Sequence, residues 1–586
     1  MGATEPPRAA RTWAHSSGVP DPALRERDWF RSAVFYEIPV RSFYDSNGDG
    51  IGDLPGVTEK LDYLSELGVR AIWLLPFYRS AWRDEGYDIT DHYSVDPSLG
   101  TLDDLDRLIT ASHDRGIRVL GDLVTNHVSI DHPWFQEARA DRESPYRNWF
   151  LWSNTGKEYS RTRVIFKDVE TTNWTWDITA GQFYFHRFYA TQPDLNYDEP
   201  AVHEEMFKVV RFWLGRGLDG FRCDAVPYLY KREGTRCQSL PETHAFFRSV
   251  RTILDAEFPG AVLVAEANQS IPETIPYFGD GHEFPMVMHF PLMPNLYLAY
   301  AEEDPRRLRH LLRATLPTPR DCGWAYFLRN HDEVTLEQVS DDEREMFLWY
   351  FGRDPRTVVN GGVRRRLAPM LDGNDASILL MIALILSLPG APFLYYGDEI
   401  GMGDRIDLPD RDGVRTPMQW TSAPNAGFSR LPVERLIRPP VGDPNYGPPT
   451  RNVADERARP DSLLRRVQQL IAIRAAHIEE FESVGLRLAD VKAPGVLAFW
   501  RDLPAAPVLC LFNLSRAQVS GTLVLEPELK SAPVRLVGEV ELERTEAHLR
   551  FALEGRRFAW VRFSRPVPVH GARSRHPEDR LLHPPE

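Results

Sequence analysis

Short apolar runs rich in β-branched and aromatic residues recur along the chain, separated by stretches whose apolar positions repeat every three or four residues. The runs are VFYEIPV from Val34, AIWLLPF from Ala71, RVLGDLV from Arg118, DGFRCDAV from Asp219, VLVAEA from Val262, MVMHFPL from Met286, WAYFLRN from Trp324 and PFLYYGDE from Pro392. Amphipathic stretches such as LDDLDRLITASHDRGI lie between most of them. Eight strand-like runs alternating with helical patterns predict an α/β fold, a closed (β/α)8 TIM barrel spanning residues 29–127 and 201–480. An open doubly wound sheet is the alternative, and no Gly-rich phosphate loop supports it.

Residues 128–200 interrupt this grammar after the third run with a stretch rich in Trp, Tyr and Phe. It is too long for an ordinary βα loop and is expected to be a small inserted domain that walls the active site. From residue 481 the pattern changes to short alternating runs: GVLAFWRD, PVLCLFNLS, GTLVLEPEL, VRLVGEVEL, LRFALEG and RFAWVRFS. These predict a C-terminal antiparallel β-sandwich over 481–564. Segments 1–28 and 565–586 lack periodicity and are expected to be flexible.

Charge narrows the partners. The 586 residues carry 69 Lys and Arg against 84 Asp and Glu, a formal charge of −15. Such a surface repels polyanions, so nucleic acid and anionic membrane are not expected partners, and a neutral small molecule fits better. The apolar run Ile378 to Leu386 is too short for a membrane span. Cys223, Cys237, Cys322 and Cys510 are widely spaced without a CxxC pair, which indicates neither a zinc site nor a disulfide framework. With no apolar leader at the start, cytoplasmic localisation is expected.

Polar residues close several of the predicted strands: Asp122, Asn126 and His127; Arg222 and Asp224; Glu266; Asn330, His331 and Asp332. A single carboxylate ending a buried strand is usually structural, but on a barrel these ends converge at the C-terminal face, where catalytic groups sit. Strand alternation sends Arg222 and Asp224 one way and Cys223 the other. Two carboxyls about 5 to 5.5 Å apart cut a glycosidic bond with retention. Asp224 suits the nucleophile, held ionised by Arg222, and Glu266, in an apolar strand, suits the acid that keeps its proton. The segment Asp45-Ser-Asn-Gly-Asp-Gly-Ile-Gly-Asp53 alternates oxygen donors at Asp45, Asn47, Asp49, Ile51 (by its carbonyl) and Asp53, the spacing of a structural calcium or magnesium loop. A metal-free Asx and Gly turn is the alternative.

DLVTNH, GFRCDAV, VAEAN and FLRNHDE resemble the four signature regions of the α-amylase clan, glycoside hydrolase family 13, and QPDLN at 192–196 its fifth. RSFYDSNGDGIGD, HRFYATQPDLNYD, LSLPGAPFLYYGDEIGMGD and DRDGVRTPMQW resemble the maltose-isomerising trehalose synthase branch. The resemblance implies Asp224 as nucleophile, Glu266 as acid/base and Asp332 as transition-state stabiliser. It implies that Tyr87, Asp88, His127, Arg222, His331 and Arg415 hold the non-reducing glucose. The implied reaction interconverts maltose and trehalose through a β-glucosyl-enzyme and a trapped glucose, with minor hydrolysis and no cofactor in the chemistry. The alternatives are an α-glucosidase or transglucosidase on the same fold, a branch making trehalose analogues, and a non-catalytic scaffold, which the intact acids disfavour. A lid must exclude water, and Trp174, Trp176, Phe183, Tyr184 and Phe185 are its candidates; a small apolar core is their bland reading. The family's second calcium site would use Asn126, Asp194 and the Tyr228–Leu229 region, but Lys231 stands where an acid is expected, so that site should be weak or empty with Lys231 in the ion's place. Ser270, Phe185, Cys223 and Val128 also depart from the pattern, which bears on the acceptor. A maltose kinase partner would be a separate chain, and homo-oligomer formation stays open.

Overall fold

The computed structural model describes residues 28–564 apart from 316, 317, 320, 483, 484, 503–505 and 530. The flexible segments expected at 1–28 and 565–586 lie outside the described residues except for Asp28. Each of the eight apolar runs contains one strand: β1 (Phe35–Ile38), β2 (Ala71–Leu74), β3 (Arg118–Val124), β4 (Gly220–Asp224), β5 (Val262–Ala265), β6 (Met286–Met288), β7 (Gly323–Phe327) and β8 (Gly390–Tyr395). They form one closed parallel barrel in chain order, with β8 pairing back onto β1 through Phe35 and Phe393. Parallel strands covered on both faces read as continuous apolar runs, which is why no alternation marks them.

Two glycines allow the strands to start where they do. A Cβ on Gly220 would stand 2.1 Å from the Val262 carbonyl oxygen, and one on Gly390 2.2 Å from that of Trp324. Outside the barrel, the predicted amphipathic stretch is the helix Leu102–His113, closed by a Thr101/Asp104 capping box and burying Leu105, Leu108 and Ile109. The run 378–386 lies in the buried helix Asp375–Ser387. Among the described residues, no helix is long and apolar enough to cross a membrane.

The stretch after β3 holds a helix, Pro133–Ala140, and a three-stranded sheet of Trp152–Ser153, Gln182–Phe185 and Trp174–Asp177. Beyond the barrel, a five-stranded and a three-stranded antiparallel sheet enclose a second apolar core. The VRLVGEVEL run does not form one strand. It divides into Val534–Gly538 in one sheet and Glu541–Arg544 in the other, turning after Gly538, whose φ is +86° and whose added Cβ would meet the Phe558 carbonyl oxygen at 2.0 Å. Buried Arg501 of this domain donates to the Ser387 and Phe481 carbonyls, and buried Arg474 to those of Leu386 and Gly390, at the start of β8. The C-terminal sheets therefore brace the barrel at the end opposite its strand termini.

Candidate active site

The C-terminal strand ends bring the polar residues together. Asp224 is the last residue of β4, Glu266 follows β5, and Asp332 stands in the turn after β7, while Asp122 lies within β3 opposite Arg222 in the ladder. All three strand-end acids line one cavity with Asp84, Tyr87, His127, His331 and Arg411. Cys223 packs away from it, fully buried. Directly after Asp224 the chain enters a left-handed turn at Ala225 (φ 51°), an uncommon and costly conformation for a residue with a Cβ, and this turn directs the Ala225 N–H to Glu266 Oε2 at 2.9 Å.

Arg222 is the hub. Its guanidinium is 1% exposed; Nη1 donates to Asp122 Oδ1 (2.7 Å) and Asp224 Oδ1 (2.8 Å), and Nη2 lies 2.5 Å from Glu266 Oε1. One cation thus faces three carboxyls, and the set holds a proton more tightly than isolated acids do. Burial first, with Arg222 opposing it and the neighbouring Glu266 and Asp122 adding to it, raises the Asp224 carboxyl well above the usual range. Burial likewise pushes Asp122 up to about 6. The sequence expectation that Arg222 alone keeps Asp224 ionised is therefore too simple, because the guanidinium is shared. Asp332 goes the other way: burial raises it, but His331, Arg411 and Arg415 outweigh that and hold it below the usual carboxylate range. Arg411 Nη1 and Arg415 Nη2 donate to its Oδ1 at 2.8 and 2.9 Å. His127 is 2% exposed, lines the cavity, and keeps Nε2 buried without a partner.

The roof comes from the insert, though not from the aromatic residues expected. Arg163, Ile165, Phe166 and Phe188 line the cavity. Phe166 lies beneath the Arg411 guanidinium, 5.0 Å from it, and Phe188 stands 5.3 Å from the His127 ring. Trp174, Tyr184 and Phe185 instead pack into the insert's own core, Phe183 meets Trp176 edge to face, and Trp176 is half exposed. Polar straps tie the roof down. Arg163 pairs with Glu337 at 2.7 Å, Arg161 donates to the Gly234 carbonyl, Tyr159 N–H to Glu233, and Asn360 N–H to Asp168 Oδ2. Asn268 Nδ2 joins the first strap by donating to Glu337 Oε2 at 3.0 Å.

The model of the α-amylase catalytic domain matches residues 37–482. A trehalose synthase/amylase of Mycobacterium tuberculosis is 49% identical over 92% of this chain and 90% of its own length. One of Mycolicibacterium smegmatis is 47% identical over 97% and 98%. The chain belongs to the trehalose synthases of the α-amylase family. A solved isomaltulose synthase of Erwinia rhapontici in complex with D-glucose, 26% identical, superposes with a TM-score of 0.72 over 92% of this chain and 99% of that one.

Within this α-amylase family enzyme the structure brings Tyr87, His127, His331, Asp224, Glu266 and Asp332 to the cavity, with Arg222 directly behind. It does not bring Asp88 or Arg415 there. The Asp88 carboxylate, fully buried, accepts from Ser80 Oγ and the Arg83 and Asp84 N–H groups, closing its own turn. Arg415 backs Asp332 and donates to the His331 carbonyl. The cavity wall carries Asp84 and Arg411 instead, paired at 2.7 Å, with Gln192 of the QPDLN segment donating to Asp84 at 2.9 Å. Both lie in the quoted or adjacent motifs, four residues before Asp88 and Arg415; only a side-chain direction, which a loop does not reveal by periodicity, separates the candidates.

Lys231 is 4% exposed, and its ammonium sits 2.7 Å from Asp194 Oδ2, 3.4 Å from Asn126 Oδ1 and 3.3 Å from the Leu229 carbonyl. One cationic nitrogen thus joins the end of β3, the root of the insert and the loop after β4. The Asp45–Asp53 loop is arranged differently from an ion cage. Asp45 accepts from the Gly48 and Gly50 N–H groups, Asp49 from Ile51 N–H, and Asp53 from Ser46 and Gly56 N–H. Among the described residues no three His, Cys, Asp or Glu side chains converge to hold a metal. As arranged here, Asp45, Asn47, Asp49, Ile51 and Asp53 do not fit an ion; they form a turn held by its own N–H groups, and none of them lines the cavity.

Replacing Lys231 by Met strands the buried Asp194 carboxylate. The expected loss is about 3–5 kcal/mol of stability in a urea titration. A loss below about 1 kcal/mol would show that the ammonium does not pin the insert.

Proposed function

We propose that the chain interconverts maltose and trehalose by intramolecular glucosyl transfer with retention, releasing some glucose to water. The observation that carries this reading is a set of three acids at three strand ends inside a cavity whose roof is strapped shut by the insert. The names of the mycobacterial relatives support it. Asp224 attacks the anomeric carbon of maltose as Glu266 gives a proton to the departing O4, leaving a β-glucosyl ester and a free glucose. The proton retained by the Asp122, Asp224 and Glu266 set around Arg222 is the one transferred: when sugar displaces water it settles on Glu266, and Asp224 is left ionised beside the guanidinium. Asp332, kept ionised by Arg411 and Arg415, faces the positive charge that develops on the ring. The glucose then turns, its anomeric hydroxyl attacks with Glu266 as base, and the 1,1 linkage forms.

A plain α-glucosidase needs the same acids but not the straps. Water at about 55 M competes with one bound glucose, so transfer prevails only if the roof excludes it and the acceptor's effective molarity is high. The cavity is about 130 Å³, small beside the roughly 300 Å³ and upward of ligand pockets. A disaccharide therefore enters when the straps release, and the structure shows the closed arrangement.

Proton NMR of the purified enzyme with maltose should show trehalose accumulating faster than glucose, and none of either with Asp224→Ala; glucose alone would identify an α-glucosidase. Glu337→Ala, which frees both Arg163 and Asn268, should raise the glucose-to-trehalose ratio about tenfold, since one lost gating contact of about 1.4 kcal/mol has that effect. An unchanged ratio would show that the roof does not govern water entry.

A further inference from the structure

Strand β1 ends near the centre of the molecule with one ionisable group, Glu37, that the reaction above does not use. It is 2% exposed. Its Oε1 accepts the His331 backbone N–H at 3.1 Å and lies 2.6 Å from His331 Nδ1. On the other side of that ring, Nε2 is 3.0 Å from the Tyr87 hydroxyl, which donates to Asp122 Oδ2 at 3.0 Å. Asp122 Oδ1 then accepts from the Arg222 nitrogen that also holds Asp224. An unbroken chain of buried hydrogen bonds thus runs from the first strand to the proposed nucleophile.

Counting hydrogens gives the chain a direction. Ionised Asp122 only accepts, so Tyr87 gives its single proton to it and must itself accept from His331; Nε2 therefore carries a hydrogen. Nδ1 then either accepts a proton from Glu37 or donates one to it. In both cases Glu37 and His331 share one proton across 2.6 Å, and the pair is neutral.

We infer that Glu37 is a positioning residue for the transfer: it keeps the hydrogen of His331 on Nε2, so that the donor pocket presents an N–H there, and through Tyr87 and Asp122 it holds Arg222 against Asp224. This inference rests on the reaction proposed above. Burial, the largest influence on both, pushes Glu37 well up and His331 well down, which favours the proton on the carboxyl side and a neutral ring with Nε2–H. The charged and titratable groups facing the pair are Arg222 of β4, Arg329 and Asp332 beside His331, Tyr395 of β8, and Arg411 and Arg415 of the loop after it. When rising pH removes the shared proton, Glu37 becomes a carboxylate, the remaining ring hydrogen moves to Nδ1 to meet it, and Nε2 turns into an acceptor facing Tyr87. Activity then falls on the alkaline side.

Maltose-to-trehalose rates across pH, with thermal midpoints, test this in Glu37→Gln, Glu37→Leu and the wild type. Gln offers Nδ1 an amide N–H in place of the carboxyl proton and cannot ionise. It should keep kcat within about threefold and move the alkaline limb upward by about one pH unit or more, because it preserves the Nε2–H tautomer. Leu frees the tautomer and should lower kcat about 10- to 100-fold with little change in KM, the usual cost of losing a partner that orients a functional histidine. If Leu prevents folding, the pH profile of Gln decides alone. Equal loss in both variants with an unmoved profile, or wild-type behaviour in both, would overturn the inference. Trehalose formation by the wild type in the same assay separates failure here from failure of the proposed reaction.

Discussion

A single buried guanidinium organises this molecule. Arg222 is withdrawn from water at the end of β4, where an unpaired charge would cost several kcal/mol, and it is stabilised only because Asp122, Asp224 and Glu266 reach it from three adjacent strands. The barrel supplies that convergence, since parallel strands in register β3, β4, β5 place their C-terminal residues side by side. Three carboxyls around one cation retain a proton, and a retaining double displacement needs one mobile proton between two carboxyls. The electrostatic arrangement that makes the buried cation tolerable also provides the acid.

The second constraint is exclusion of water. The straps Arg163–Glu337 and Asp168–Asn360 cross between the insert and barrel loops that otherwise have no reason to touch. The insert is held at its root by the Lys231 ammonium, which joins it to the ends of β3 and β4. Binding and release then differ from chemistry by the state of a few partly exposed polar contacts, each worth little alone, so the roof opens readily while the barrel beneath it stays fixed.

Much of this was legible in the chain because burial leaves a pattern. All eight barrel strands lie inside the eight apolar runs, and the acids at their ends were visible as polar residues ending apolar stretches. The readings that failed concern places without periodicity. Asp84 and Asp88 sit in one loop, as do Arg411 and Arg415, and only the turns around Gly86 and Gly413 decide which member faces the cavity. The insert's aromatic residues looked like a lid, yet a three-stranded sheet that small needs most of them for its own core. VRLVGEVEL reads as one strand because its alternation is continuous; Gly538 divides it. The alternate oxygens of Asp45 to Asp53 state a spacing, but the loop's own N–H groups compete for the same lone pairs. The partition of protons among Asp122, Asp224 and Glu266 depends on distances to a shared guanidinium, which no motif encodes.

The central claim is that one glucose stays beneath the roof between bond breaking and bond making. Turnover of unlabelled maltose in the presence of excess free carbon-13 glucose tests it directly. The account predicts trehalose without label, because the acceptor is the glucose just released. Label entering trehalose in proportion to the added glucose would contradict it, showing that the acceptor exchanges with solvent and that the roof does not retain it.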